Sequence, residues 1–284
     1  MTNKIIALVD GSTYSKSVCD HAAWIAGRGD TPVEILHVLG RRESGGSGSD
    51  LSGAIALGAR SSLLEQLSGL DEQRAKLSVH RGRAILEDAK AILEEAGVHA
   101  TEHLRHGDLI EAIADKQDDA EMILIGKRGE AADFAKEHLG SNLERVMRAI
   151  EKPLFVVSRA FRPIERILVA YDGSASAMRA IEYLSRSPIT KGLSVRIVTV
   201  GHSDDQTRKR LADARSKLER AGMQVDTDIV SGQPETAIGT VVEEDRFDLL
   251  VLGASGHSRL RALFVGSTSL ELIRTCKVPI LLLR

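Results

Sequence analysis

The chain has 284 residues, of which 43% are hydrophobic, 27% are charged and only 3% are aromatic. This composition is typical of a globular protein, and the shortage of aromatic side chains argues against a stacking surface for single-stranded nucleic acid. The formal net charge is −2 and no apolar run approaches the roughly 18 residues of a membrane span, so we expect neither nucleic acid as a partner nor membrane insertion.

The placement of cysteine and histidine gives no sign of a metal centre. Cys19 and Cys276 lie far apart in helix-like stretches, and the histidines at 99, 103 and 106 cannot all share one face of a strand. Zinc needs ligands that converge into a closed shell, which this pattern does not provide. We therefore expect reduced cysteines, no bound metal and a cytoplasmic location.

Short apolar strands alternate with helical patterns along the chain. This alternation predicts parallel sheets covered on both faces, in the form of two tandem doubly wound five-stranded parallel sheets with flanking helices. Ligands of such folds bind beyond the carboxyl ends of the strands. In chain order, the predicted strands are 4–9, 33–39, 98–104, 121–125, 153–157, 166–171, 194–200, 224–230, 248–252 and 279–283, and the predicted helices are 15–28, 71–96, 108–117, 141–150, 175–186, 204–221, 234–244 and 267–276.

The chain repeats itself once, with its elements recurring in the same order. Pro163 and the return of the strand pattern after it separate the copies, so we predict one domain at 1–158 and a second at 164–284. The first copy carries an insert within about 41–77, which starts with the flexible stretch RRESGGSGSD and then becomes helix-like. The matching segments are KIIALVDGS (4–12) with RILVAYDGS (166–174), AEMILIGKRG (120–129) with FDLLVLGASG (247–256), and KPLFVVSR (152–159) with VPILLLR (278–284).

A glycine-rich loop, GASGHSRLRALFVGSTS, leads from a buried-looking strand into the last helix. Two residues separate Gly253 from Gly256, nine separate Gly256 from Gly266, and the hydroxyl residues Ser267 and Thr268 follow directly. Glycines let the backbone approach a ligand closely, and a helix amino terminus offers unpaired N–H groups to an anion. The loop is therefore a candidate cradle for phosphate groups.

Both the start of the last helix and Asp172, at the end of the first strand of the same copy, also fit purely structural roles. Thr268 and Glu271 fit a capping box, in which case the hydroxyl would serve the helix alone. Asp172 ends the first strand of the same copy and would face the same crevice, where it could meet a ribose, an adenine edge or a metal on phosphates. Asp172-Gly173-Ser174 also fits a simple turn into a helix.

The Asp-Gly-Ser after the first strand, the Gly-x2-Gly-x9-Gly-Ser motif and the proline before the last strand together resemble the universal stress protein family. The resemblance covers nearly the whole chain outside the insert and is to tandem two-domain members. It implies binding of ATP, with or without Mg²⁺. The final apolar strands would be uncovered sheet edges, which invite pairing, so we expect the two halves to form an intramolecular pseudo-dimer through them, in the way that single-domain members of the family pair. The nucleotide contacts that the resemblance implies are Ala170, Asp172, Val200, Gly253, Gly256, Gly266, Ser267 and Thr268.

The equivalent loop of the first copy, GKRGEAADFAKEHLGSN, departs from this pattern. Ten residues rather than nine separate Gly129 from Gly140, Asn142 replaces the second hydroxyl, and three carboxylates in the loop would oppose an anion. Lys127 and Arg128 would favour one, and Ser141 with Glu144 fits a capping box. If this copy also binds nucleotide, the corresponding contacts would be Asp10, Val38, Gly126, Gly129, Gly140 and Ser141.

Three functional hypotheses follow. The leading one is an ATP-binding regulator of a stress response, with the nucleotide held mainly in the second copy and little or no turnover, since no Walker pattern is present. The second is slow ATP hydrolysis or self-phosphorylation on a hydroxyl such as Ser267. The third is a nucleotide-free scaffold whose insert and edge strands bind a protein or an apolar ligand, and homodimer formation is also left open.

Overall fold

The structure is a computed structural model that describes residues 3–40, 57–129, 140–254 and 266–284. Strands and helices alternate along this part of the chain, as predicted. Two 3₁₀ turns lie at Gln117–Asp119 and Pro188–Thr190. The elements are β1 (Lys4–Leu8), α1 (Ser15–Gly29), β2 (Val33–Leu39), α2 (Leu57–Glu95), β3 (Ala100–His106), α3 (Leu109–Ala114), β4 (Ala120–Gly126), α4 (Ser141–Ala149), β5 (Leu154–Val157), β6 (Arg166–Ala170), α5 (Ala175–Arg186), β7 (Ser194–Val200), α6 (Asp205–Arg220), β8 (Gln224–Val230), α7 (Pro234–Glu244), β9 (Leu249–Gly253), α8 (Ser267–Thr275) and β10 (Ile280–Leu283).

The ten strands form one continuous sheet in the order β3-β2-β1-β4-β5-β10-β9-β6-β7-β8. Residues up to 158, here called the first half, and residues from 164 onward, the second half, each contribute five parallel strands in the same order. The predicted five-stranded units are therefore present, but they are fused into a single sheet rather than kept as two.

The fusion occurs through the terminal strands of the two halves. β5 and β10 are antiparallel, with Leu154 opposite Leu282 and Val156 opposite Ile280. Each of these short apolar strands would otherwise leave unpaired backbone groups at a sheet edge. The predicted pairing of the two terminal strands is thus present in the structure.

Alternate residues of each strand point to opposite faces of the sheet and contribute to two apolar layers, one on each face. Ile5 and Ala7 of β1 belong to the layer that α1, α2, α5 and α6 cover, whereas Ile6 and Leu8 belong to the layer that α3, α4, α7 and α8 cover. This alternation follows from the two-residue period of a strand. Because both faces are covered, the six central strands of the sheet are almost continuously apolar, whereas the edge strands β3 and β8 carry exposed polar residues.

Helix α2 differs most from its prediction. It is one helix of 39 residues, Leu57–Glu95, rather than a helix at 71–96 preceded by a separate helix-like segment. Its carboxyl-terminal part packs on the fold and buries Leu86 and Leu93. The helix-like pattern predicted for the later part of the insert therefore belongs to this same helix. Residues 41–56 of the predicted insert lie outside the described residues.

The described ranges contain neither a membrane-spanning helix nor a metal centre. No helix within them is long and apolar enough to cross a bilayer. They hold no group of three or more His, Cys, Asp or Glu side chains placed to bind a metal ion. Cys19 and Cys276 are buried thiols, and burial raises their pKa to about 12 and about 11. Both thiols are therefore protonated at neutral pH.

Candidate functional site

A crevice lies at the carboxyl ends of β1, β2 and β4 in the first half. It is a small cavity of about 90 Å³ that opens to solvent. Its apolar floor includes side chains from the strand ends, and its rim includes the glycine loop. Of the residues predicted for this half, those that line it are Asp10, Val38, Gly126, Gly129 and Gly140. Ser141 is the first residue of α4 and adjoins the lining residues Gly140 and Asn142.

Asp10 and Asp172 shape the same tight turn in the two halves. Each carboxylate accepts a hydrogen bond through Oδ1 from the N–H of the serine two residues later, at 3.0 Å and 2.9 Å. Gly11 and Gly173 between them have φ values of 76° and 74°, which favour glycine. The turn interpretation therefore holds for both sequences, and the carboxylates have a structural role besides any contact with a ligand.

Gly126 and Gly253 end equivalent strands and permit a close approach by a helix. A Cβ on Gly126 would lie 2.8 Å from Cβ of Tyr14, and a Cβ on Gly253 would lie 2.6 Å from Oγ of Ser176. Tyr14 and Ser176 occupy the same position in the two copies. These glycines are thus required for packing in both halves, so their presence alone does not indicate a phosphate ligand.

In the second half, α8 is tied to the end of β9 at two points. The Gly266 N–H donates to the Ala254 carbonyl at 3.0 Å, and the Ser269 hydroxyl donates to the Gly253 carbonyl at 3.1 Å. Residues 255–265 between them, which include the predicted contact Gly256, lie outside the described residues. Ser269 was missed in the sequence, although a third hydroxyl directly after the Gly-Ser-Thr run could have indicated it.

In the first half, the two ends of the glycine loop converge on the first strand. A Cβ on Gly129 would lie 2.9 Å from Oδ2 of Asp10, and a Cβ on Gly140 would lie 3.4 Å from the Gly129 nitrogen. The backbone of both glycines therefore closes over the crevice at the Asp10 turn. The loop residues 130–139, including the three predicted carboxylates, lie outside the described residues.

Glycine, not a hydroxyl residue, is the N-cap of both loop helices. Gly140 and Gly266 cap α4 and α8, and neither cap has a side-chain hydrogen bond. The capping boxes proposed for Ser141 and Thr268 are therefore wrong, because both residues already lie inside the helix. In α8, Ser267 is exposed and Thr268 is half-buried. The N–H groups of this first turn have no helical acceptor and suit an anion.

Ala170 and Val200 occupy the apolar positions predicted for the nucleotide crevice of the second half. They end the adjacent strands β6 and β7, are half-buried, and pack on the layer beneath α7 and α8. Their counterparts Leu8 and Val38 line the crevice of the first half. The predicted apolar residues thus lie at equivalent places, next to the exposed Asp172 turn.

One cation near the second crevice was missed in the sequence. A Cβ on Gly173 would lie 3.1 Å from Nη1 of Arg210 in α6, so this guanidinium lies beside the Asp172 turn. The equivalent neighbour of Gly11 is Ile85 in α2, whose Cδ1 would be 2.8 Å away. Aligning α2 with α6 would have shown that an arginine in the second half replaces an isoleucine in the first.

Lys127 does not line the first crevice, contrary to expectation. Its ammonium donates to the carbonyl of Cys276 at 2.6 Å, in the second half. Burial lowers the pKa of Lys127 to about 8. Arg128, the second cation expected to favour an anion, does line the crevice.

Comparison with known proteins places this architecture in a family. A solved universal stress protein from Archaeoglobus fulgidus superposes with a TM-score of 0.73 at 24% identity, covering 100% of this chain and 97% of that one. The Pseudomonas aeruginosa protein PA1789 superposes with a TM-score of 0.63 at 15% identity, covering 99% and 92%. These two likenesses show the fold.

Sequence similarity is closer. The chain is 37% identical over 284 residues to the universal stress protein Slr1230 of Synechocystis, covering 99% of each chain. The model of the universal stress protein family matches it twice, at residues 1–158 and 163–284. With two family matches in a single polypeptide and a full-length relative, this chain belongs to the universal stress protein family.

Proposed function

We propose that the chain binds an adenine nucleotide in the crevice of the second half, as ATP with or without Mg²⁺, and acts as a nucleotide-dependent regulator in a stress response. The observation that carries this proposal is the start of α8. Its glycine N-cap supplies no side-chain hydrogen bond to the first-turn N–H groups, which lie beside the exposed hydroxyl of Ser267. A phosphate group placed there would meet N–H donors, hydroxyl donors and the positive end of a helix.

Three differences favour the second half over the first. Its loop has the compact nine-residue spacing between Gly256 and Gly266, and its helix has two hydroxyl residues where the first half has Ser141 and Asn142. Arg210 lies beside its Asp-Gly-Ser turn, where the first half has an isoleucine. Together these features place more donors and more positive charge near an anion.

A role in regulation rather than rapid turnover fits the same residues. The sequence has no Walker pattern. The residue that could serve as a general base here is Asp172. Its carboxylate already accepts a hydrogen bond within its own turn. Bound nucleotide would then act by favouring one conformation or assembly of the chain, through its different affinity for the two states.

Substitution of Ser267 by Asp tests the site, with Ser141→Asp as its matched control. Both changes place a carboxylate in the first turn of a loop helix, where it is compatible with helix stability. We expect Ser267→Asp to weaken ATP binding by about tenfold or more, because the new charge opposes the phosphates, and Ser141→Asp to have little effect. Isothermal titration calorimetry measures both. Wild-type protein that binds no ATP, or equal losses in the two variants, would overturn the proposal.

Self-phosphorylation is the second candidate function, favoured by the exposure of Ser267 at the start of α8. Its hydroxyl oxygen would attack the γ-phosphorus of ATP, the bond from that phosphorus to the bridging oxygen would break, and the hydroxyl proton would pass to solvent, giving phosphoserine and ADP. Incubation with ATP and Mg²⁺ followed by intact mass spectrometry tests this. A single added phosphoryl group that is absent in Ser267→Ala would support it, and unmodified wild-type protein would exclude it.

A further inference from the structure

Lys127 belongs to the glycine loop of the first half but contacts the second half. It lies between Gly126 and Gly129, and its ammonium donates to the Cys276 carbonyl at 2.6 Å. Cys276 is the C-cap residue of α8. A cation of one half is therefore placed at the carboxyl end of the helix whose amino end borders the crevice of the other half.

The antiparallel junction explains how one short helix reaches both crevices. Because β5 and β10 run in opposite directions, the carboxyl ends of the first-half strands share a sheet edge with the amino ends of the second-half strands. α8 runs back from the end of β9 to the start of β10. Its nine residues span about 13 Å, so its two ends lie at the two opposite edges where the crevices are.

The contact has an energetic cost, which points to a role for the charge. Burial lowers the pKa of Lys127 to about 8, so the charged form is less favourable here than in water. In return, the ammonium satisfies a carbonyl that has no helical N–H partner and complements the negative end of the helix. An anion at the amino end of α8 and a cation at its carboxyl end both interact favourably with the helix dipole, so both stabilise the helix in this position.

The contact has no counterpart in the opposite direction. Ala254 occupies the position of Lys127 in the second half, and Ile150 is the C-cap residue of α4 in place of Cys276. Both are buried apolar residues and contribute to the layer beneath α4 and α8. Among the residues that the structure describes, only the loop of the first half therefore supports the loop helix of the other half through a charged group at this place.

We propose that Lys127 is a positioning residue for the nucleotide crevice of the second half. By holding the carboxyl end of α8, it fixes the direction of the first-turn N–H groups at the other end. This inference rests on the proposed function, because its target is the nucleotide site of the second half.

Four proteins test the inference: wild type, Lys127→Met, Lys127→Arg and Lys277→Met. Lys277 is the matched control, since it is exposed at the same end of α8 and pairs with Glu243 at 2.9 Å. We expect Lys127→Met to weaken ATP binding about three- to tenfold, Lys127→Arg to restore most of the affinity, and Lys277→Met to leave it unchanged. Calorimetry gives the affinities, and amide hydrogen exchange without ligand should show faster exchange in α8 for Lys127→Met.

The outcomes separate this inference from the proposed function. ATP affinity in Lys127→Met equal to that of wild type, or an equal loss in Lys277→Met, overturns the inference and leaves the proposed function in place. Absence of ATP binding in wild type overturns both. Should Lys127→Met fail to fold, Lys127→Gln replaces it with the same expected loss and the same criterion.

Discussion

The two crevices of the sheet are built on the same backbone frame. Each has an Asp-Gly-Ser turn after its first strand, a glycine at the end of its fourth strand and a glycine N-cap on its loop helix. They differ in loop length, in the residues of the first helical turn and in the neighbour of the turn, which is Ile85 in one half and Arg210 in the other. The shared features serve packing, so the differing features distinguish a ligand site from a connector.

The largest expected effect tests the shared frame. Gly253→Ala places a Cβ 2.7 Å from the Ala177 nitrogen and 2.9 Å from the Ser176 carbonyl carbon, which are backbone atoms that cannot move alone. We expect a loss of about 2–4 kcal/mol in the free energy of unfolding. Gly126→Ala should cost less, because its nearest backbone contact is at 3.2 Å. Urea denaturation measures both changes.

The control for this prediction is Gly239→Ala in α7. A Cβ at Gly239 meets nothing within 4 Å, so this variant should be neutral or stabilised by about 1 kcal/mol. If Gly253→Ala behaved like Gly239→Ala, the glycine at the strand end would not be required for packing. The presence of glycine at this position of the family motif would then have to be explained by ligand binding alone.

An intermediate effect is expected at the neighbour of the Asp172 turn. Arg210→Ile gives the second half the apolar side chain type that the first half has at this place, and should weaken ATP binding about three- to tenfold. Because Arg210 is exposed, stability should change little. Calorimetry at low salt measures the affinity, and Lys209→Ile, at the adjacent exposed cation of α6, is the control. Equal losses in both variants would indicate a general charge effect.

The smallest effect is expected at Ser269. Ser269→Ala removes the hydrogen bond to the Gly253 carbonyl and should cost about 1 kcal/mol of stability, measured by thermal unfolding. The first half has the buried Leu143 at this place, which holds its helix start by apolar packing instead. An unchanged melting temperature in Ser269→Ala would show that the hydroxyl does not help to tie α8 to β9.

Local patterns in the sequence predicted most of the fold but not the contacts that cross the junction. Apolar runs of strand length indicated the sheet, and the exposed edges that they would leave at Leu154 and Ile280 indicated the pairing of the halves. The capping boxes failed because a hydroxyl three residues before a glutamate does not reveal which residue takes the N-cap conformation. Lys127 and Cys276 are 149 residues apart, and no local pattern connects them.

The junction also has a consequence for assembly. Since the two halves are joined by the short segment 159–163, their terminal strands meet at an effective concentration of about millimolar or more, whatever the amount of protein present. Dilution therefore cannot separate them, as it would separate two independent subunits. Both terminal strands are already paired, so any further copy of the chain has to associate through another surface, such as the outer strands β3 and β8.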